Sequence, residues 1–280
     1  MSEDYMSLFS SPPMESLMEM VYLYGAPKIG KSTYFSKMPD ALIIGTERGY
    51  KFLNPKNYIE CVGYKAPRGA DGKFLKDDES VARRNAKEFY MDEIFANLDY
   101  VKKKTGKKPF KYIVVDTIST FVNNILAKEI LNDYNEGLEK GKQQQKAANI
   151  PFGKSSDVIA GEYIIEMKDT LSKYCDPIIL VGHVKIKQAL LENSGESVVS
   201  SEIDLGTRVK SIVTTESDAN GRFFKDLDGN LCISTIYEGA DALGCRNPKV
   251  AGRIFKVCIP SKTNEEGVPV EFNTNYEFFE

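Results

Sequence analysis

Five cysteines are scattered along the 280 residues, Cys61, Cys175, Cys232, Cys245 and Cys258, and no two form a C-x-x-C pair. That spacing excludes a zinc-ligand pattern and a compact disulfide framework, leaving reduced, buried thiols as the expectation. No run approaches the roughly 18 uninterrupted apolar residues of a membrane-spanning helix, and the N-terminal MSEDYMSLFSSPPMES carries acids where a signal peptide is basic. A cytoplasmic protein with no membrane partner is therefore expected. Positive charge is not in excess either: 37 Lys and Arg against 40 Asp and Glu give a formal charge of -3 and a pI near 5.6. This argues against a surface that coats nucleic acid everywhere and allows only a local basic face. Internal repeats and long low-complexity tracts are absent.

What the chain does have is 42% hydrophobic residues, enough for one large domain with an appendage. Residues 1–16 read as a flexible tail, because Ser, Pro and acids there show no period. From Met18 onward, apolar runs that read as buried parallel strands alternate with helical stretches. The runs are MEMVYLY, ALIIG, KYIVVD and PIILVGH. Helices are expected from Lys31 to before Pro39, over 80–104 with Met91, Ile94, Phe95 and Leu98 on one face, from Ser119 to Tyr134, and over 156–174. The order predicts an α/β fold with a mainly parallel sheet flanked by helices. Past His183 the alternation fades, with a helical segment near 208–218 and then the strand-like LCISTIY and RIFKVCI. The expected division is a core over 17–218 and a small β-rich extension over 219–280 packed on it, its strands either extending the sheet or forming an appendage.

The first strand runs into GAPKIGKST, a full match to the phosphate-loop pattern G-x-x-x-x-G-K-[ST]. Gly25 and Gly30 permit backbone conformations and close approaches that a Cβ obstructs, so the amides of Gly25, Ala26, Pro27, Lys28, Ile29, Gly30, Lys31, Ser32 and Thr33, excepting proline's, can cradle phosphate oxygens. A helix starting at Lys31 adds its positive end. Lys31 is expected at the β and γ phosphates and the Ser32 hydroxyl on Mg²⁺, which makes ATP and Mg²⁺ the expected cofactors.

The other apolar strands end in polar residues that suit the same site. Asp116, closing YIVVD, has the form of the Walker B acid that orients the shell of the ion; an acid there also suits a helix N-cap. Glu47, after ALIIGT, stands where a carboxylate can orient or deprotonate an attacking water, or else pair with Arg48 on the surface. His183, the lone histidine, can sense the γ-phosphate and pass its state to the following segment, or simply be a satisfied polar residue.

Taken together, YGAPKIGKST, ALIIGTERG, YIVVDTIST and IILVGHVK resemble the RecA-like ATPases, and specifically the phage-encoded RecA-like single-strand annealing proteins. The resemblance spans roughly residues 18 to 187. It implies a RecA-like P-loop NTPase core, a Mg²⁺-dependent ATPase that single-stranded DNA stimulates, annealing or recombination of strands, a ring or filament of identical subunits, and a phage protein working in the bacterial host cell. It maps the catalytic carboxylate onto Glu47, the Walker B acid onto Asp116 and the sensor onto His183. A single-strand-binding protein or other replication partner fits the same setting.

Lysines supply the candidate DNA contacts. Lys185, Lys187 and Lys210 follow the sensor strand in a segment expected to be mobile, and Lys140, Lys142 and Lys146 lie in the mobile loop expected before the helix over 156–174. The denser run KKKTGKKPFK, Lys102 to Lys111, reads either as a solvated helix end or as a DNA contact. Arg246, Arg253 and Lys256 would reach a neighbour's γ-phosphate if subunits stack head to tail. Two other classes share the loop: an ATP-dependent loader or regulator of another replication protein, and a small-molecule kinase, for which no arginine-rich lid follows the third strand.

Overall fold

The computed structural model describes residues 18–61, 90–151, 156–190, 197–236, 244–266 and 269–280. The tail expected over 1–16, the Gly, Pro and Lys-rich excursion 64–80 and the start of the helix expected from residue 80 lie outside the described residues.

Strand β1 (Met20–Gly25) is buried at every position, which its unbroken apolar content requires once helices cover both faces of a parallel sheet. The phosphate loop leads into helix α1 (Lys31–Ser36), and strand β2 (Ala41–Gly45) follows, also buried throughout. A 3-10 turn (Arg48–Phe52) and the short strand β3 (Tyr58–Glu60) come next. Helix α2 (Tyr90–Thr105) buries Met91, Ile94 and Leu98, the i, i+3, i+7 stripe of the sequence.

Strand β4 (Tyr112–Asp116) is buried throughout and passes into a continuous helix, α3. This helix begins with an α-helical turn, Ile118–Thr120, widens to a π-helical segment, Phe121–Leu126, and ends α-helical over Ala127–Asn135. Helix α4 (Ser156–Leu171) leads to strand β5 (Ile178–Leu190).

The strand does not stop at His183 as expected. It continues for seven more residues and pairs antiparallel with β6 (Ser197–Ile203), from Val184 opposite Ile203 to Leu190 opposite Ser197. Fading alternation hid this hairpin, because its strands pair with each other beyond the parallel sheet and so need no continuous apolar run. Helix α5 (Thr207–Glu216) follows.

The remaining strands are β7 (Ala219–Lys225), β8 (Leu231–Ser234), β9 (Gly244–Cys245), β10 (Ile254–Thr263) and β11 (Pro269–Thr274). The sheet runs β11-β10-β8-β7-β1-β5-β4-β2-β3, with β6 on β5 and β9 on β7. Pairing is parallel from β7 across to β3 and antiparallel from β7 out to β11. The fold is thus a mixed α/β fold with a large, mainly parallel sheet flanked by helices. Strand β7 lies parallel beside β1, so the segment beginning at residue 219 continues the same sheet, the first of the two arrangements expected of it.

Two apolar clusters cover the sheet. Helices α2, α3, α4 and α5 supply one, with Ile94, Phe121, Ile164 and Val209; α1 and the C-terminal strands supply the other, with Tyr34, Phe35, Phe255 and Phe278. Each such side chain contributes about 1.5–3 kcal/mol on leaving water. Cys61, Cys175, Cys232 and Cys258 are buried, Cys245 is partly so, and none is bonded to another. Burial pushes the Cys175 thiol up to about 12. No helix of the described residues is long and apolar enough to cross a membrane.

Candidate functional site

Parallel strands β1, β5, β4 and β2 lie side by side, and β1, β4 and β2 end within two residues of the level of His183 on β5: Gly25 is level with His183, and Gly45 is level with Asp116 on β4. The register therefore gathers the phosphate loop, His183, Asp116 and Glu47 at one edge of the sheet, although 158 positions separate the first glycine from the histidine along the chain (183 − 25). In open parallel sheets this carboxyl edge is where ligands bind.

The loop's backbone depends on glycine at two points. A Cβ on Gly25 would stand 2.8 Å from the Cβ of Phe223, because β7 presses against the end of β1. Gly30 has φ of 116°, a region that side chains disfavour. Lys28 also takes a left-handed φ, 63°. Among the remaining loop residues Ala26, Pro27 and Lys28 are exposed, while Ile29, Ser32 and Thr33 are partly buried.

Lys31 is 4% exposed. Its Nζ donates to the carbonyls of Gly25 at 2.9 Å and Ala26 at 2.8 Å and lies 3.2 Å from His183 Nδ1. Burial lowers its pKa to about 8, against the pull of Asp116 and Glu47 in the other direction.

His183 connects this ammonium to Glu47. Its Nε2 is 2.8 Å from Glu47 Oε1. An ionised carboxylate only accepts and an ammonium only donates, so the ring proton sits on Nε2 and Nδ1 accepts from Lys31. The backbone amide of His183 donates to Ser119 Oγ at 2.9 Å, which ties the end of the parallel strand to α3.

Glu47 Oε1 takes two further bonds, from Thr117 Oγ1 at 3.0 Å and from Thr120 Oγ1. The hydrogen bond from His183 leads in depressing its pKa to about 2, with Thr120 and Thr117 adding to it against desolvation. The side chain is still 38% exposed. Glu47 is thus a fully ionised acceptor, held through one oxygen and open to water.

Asp116 is the opposite case, 2% exposed. Its Oδ2 accepts from Ser32 Oγ at 2.7 Å and from the Tyr50 hydroxyl at 2.6 Å. Its Oδ1 is buried with no hydrogen-bond partner, and desolvation raises its pKa despite the two donors. Thr46 braces the neighbouring backbone, exchanging bonds of 2.8 Å with the amide and carbonyl of Thr117.

Among the described residues no cluster of three or more His, Cys, Asp or Glu could hold a metal ion by itself. A single acid beside a loop hydroxyl fits Mg²⁺, which keeps several waters and leans on phosphate for the rest of its shell. A bare, buried carboxylate oxygen is an acceptor suited to one of those waters.

Thr117, Thr120, Ser119 and Tyr50 are site residues that the sequence reading passed over. The threonines and serine stand in DTIST directly after the apolar strand, and that polar cluster was a usable signal. For Tyr50 in RGYKF there was none.

The lysines expected at DNA are spread over three elements. Lys185 lies on β5, 44% exposed and 3.7 Å from Asp204 Oδ1. Lys187 lies two positions further along the same strand and Lys210 within α5, so all three stand in regular structure and not in the loop expected after the sensor. The alternation of β5 with β6 and the capping of α5 by Asp157, which accepts from the Arg208 and Val209 amides, explain that order. Lys140 and Lys142 form a 3-10 turn, with Lys142 3.1 Å from Glu139, and Lys146 precedes a second such turn.

Arg246 is 3.9 Å from Asp218, Arg253 donates to the Lys249 carbonyl at 2.7 Å, and Lys256 is 3.1 Å from Asp226. Each of these three has a partner in its own chain. In the basic run that closes α2 and continues past it, Lys103 pairs with Asp99 within the helix and Lys108 with Asp176 beyond it.

The chain has no match among curated proteins. Residues 18–230 match a family of AAA domains, a span that begins just before β1 and takes in the loop, Glu47, Asp116, His183 and the β7 strand packed on Gly25. With a phosphate loop at the carboxyl edge of a mainly parallel sheet and most of its length inside that match, the chain belongs to the AAA domain family and is a nucleotide-binding P-loop ATPase.

Proposed function

We propose that this protein hydrolyses ATP with Mg²⁺ and uses the cycle to bind single-stranded DNA and promote its annealing or recombination. The observation that carries the hydrolytic half is the chain Lys31, His183, Glu47, in which an ionised carboxylate is anchored by one oxygen and left open to water.

In this reading the loop amides and Lys31 hold the phosphates and offset the charge that develops on them. Ser32 and Asp116 would hold Mg²⁺, which when bound neutralises charge on the β and γ oxygens. Glu47 orients the attacking water as a hydrogen-bond acceptor. A carboxylate with a pKa of about 2 is too weak a base to store the proton. His183 bonds both the lysine that meets the phosphate and the carboxylate that meets the water, and it sits at the root of the β5–β6 hairpin. Whatever rearranges Lys31 therefore acts on the base of that hairpin.

Support for single-stranded DNA comes from the resemblance of four strand-end stretches to phage annealing proteins and from Lys185, Lys187 and Lys210 after the sensor, with Lys140, Lys142 and Lys146 in the other segment. A ring or filament of identical subunits belongs to the same reading. The test is phosphate release with and without single-stranded DNA, for wild type, Lys31→Ala and Glu47→Gln, together with DNA binding at low salt with and without ATP. Turnover that DNA accelerates and both variants abolish is expected. Absence of DNA binding under every condition sinks the DNA half, and full turnover in Glu47→Gln sinks the catalytic assignment.

A further inference from the structure

The Tyr50 hydroxyl reaches the most buried acid of the site from an element that carries none of the phosphate-binding residues. It lies in the 3-10 turn Arg48–Phe52, directly after Glu47, and the residue is 5% exposed. Its ring leans on Tyr58 of β3, with centroids 5.2 Å apart. The two rings form one wall of an open cavity of about 340 Å³ that Lys51 and Glu60 also line. Its hydroxyl donates to Asp116 Oδ2 at 2.6 Å, the oxygen that Ser32 also bonds at 2.7 Å. With two donors on Oδ2, the carboxylate plane is fixed, and Oδ1 is left as the buried oxygen without a partner.

We infer that Tyr50 is a positioning residue for the divalent cation: by clamping Asp116 Oδ2 beside Ser32 it fixes the carboxylate that would hold the ion together with that hydroxyl. The inference rests on the reading of Ser32 and Asp116 as the metal-holding pair and deepens it.

The alternative to a clamp is a carboxylate free to rotate. Ser32 alone supplies one bond, and a carboxylate held by one bond can exchange its oxygens. A phenol is suited to the second bond: its hydroxyl is a good donor, its rigid ring carries little conformational entropy, and packing on Tyr58 aims it. The bond to an ionised acceptor is of the stronger kind, and 2.6 Å is the usual length for one. Tyr50 also links the metal end of the site to β3, the edge strand, so that the position of an edge element bears on metal affinity.

The experiment measures Mn²⁺ binding by electron paramagnetic resonance, in place of Mg²⁺, to the full chain with ATP. It also measures binding of a fluorescent ATP analogue in excess chelator. Three proteins are compared: wild type, Tyr50→Phe, which keeps the ring and its contact with Tyr58, and Asp116→Asn. We expect Tyr50→Phe to weaken Mn²⁺ binding about ten- to hundredfold, the scale of one hydrogen bond to a charged group, and to leave metal-free nucleotide affinity within about twofold. Wild-type Mn²⁺ affinity in Tyr50→Phe overturns the inference. So does an equal loss of metal-free nucleotide binding, since that marks a general distortion of the site. If Asp116→Asn weakens Mn²⁺ binding while Tyr50→Phe does not, only the Tyr50 assignment falls. If Asp116→Asn also binds Mn²⁺ as wild type does, the metal-holding pair falls with it.

Discussion

The two acids of the site end neighbouring strands, yet their surroundings push them in opposite directions. Glu47 receives three donors on one oxygen, keeps 38% of its side chain exposed and has its pKa depressed to about 2. Asp116 receives two donors on one oxygen, is buried, and has its pKa raised by desolvation. Hydrogen bonds outweigh desolvation where water still reaches the carboxylate, and desolvation wins where it does not. The first environment suits an acceptor that handles water. The second suits one that waits for a cation, which supplies the compensation that the protein withholds.

The contrast can be broken most forcefully through turnover. Glu47→Gln is expected to lower kcat by about 10²–10³-fold with ATP affinity within about twofold of wild type, as read by single-turnover phosphate release beside a binding titration. A matching loss of affinity would show that Glu47 serves binding rather than chemistry.

Stability without nucleotide or metal should separate the two acids by sign. The folded-state pKa of Glu47 lies below its unfolded value, so its contribution to stability is fully present above about 4.5 and is lost as pH falls toward about 2. Glu47→Gln should therefore cost stability at pH 7, about 1–2 kcal/mol once solvent screening of a partly exposed group is allowed for. Asp116 has a raised pKa, so ionisation opposes folding at neutral pH and that cost is relieved as pH falls. Asp116→Asn should therefore raise Tm at pH 7, and by less at pH 5. Melting curves of both variants at pH 7 and pH 5 check the pair, and equal signs at pH 7 would erase the distinction drawn between the acids.

A smaller effect belongs to the lysine between them. Lys31 has a pKa lowered to about 8, so the free site loses positive charge as pH rises past that value, while bound triphosphate favours the charged form. ATP affinity should fall severalfold between pH 7.5 and 9, with proton uptake on binding at the upper end. Calorimetry in buffers of different ionisation enthalpy reads both. The smallest change expected is in Thr117→Val, which removes one of three donors to Glu47 and should lower kcat about threefold to tenfold.

What could be read from the sequence was whatever its causes kept local. The phosphate loop is a short pattern between a strand and a helix, and the acids and the histidine close apolar runs, so their arrival at one sheet edge followed from parallel pairing alone. Tyr50 was invisible because its partner lies 66 positions away and the link depends on how a five-residue turn folds over β4. The β5–β6 hairpin was missed for a related reason: its strands satisfy each other's backbones and carry mixed side chains, so neither burial nor period marks them. Family membership, too, rests on a match over residues 18–230 and not on any one motif.

Strand β5 is one unbroken element with two settings: up to His183 it is paired between β1 and β4, and beyond it β6 is its one strand neighbour among the described residues. From His183 to Leu190 it spans about 23 Å at the usual rise of a strand. Such a strand works as a lever with its fulcrum at the histidine. A swing of about 10° at the fulcrum, taken over that length of strand, carries the far end about 4 Å, more than a hydrogen bond's length. A rearrangement at the lysine and carboxylate that turned the strand by that angle would displace the end of β5 further than anything in the core beside it.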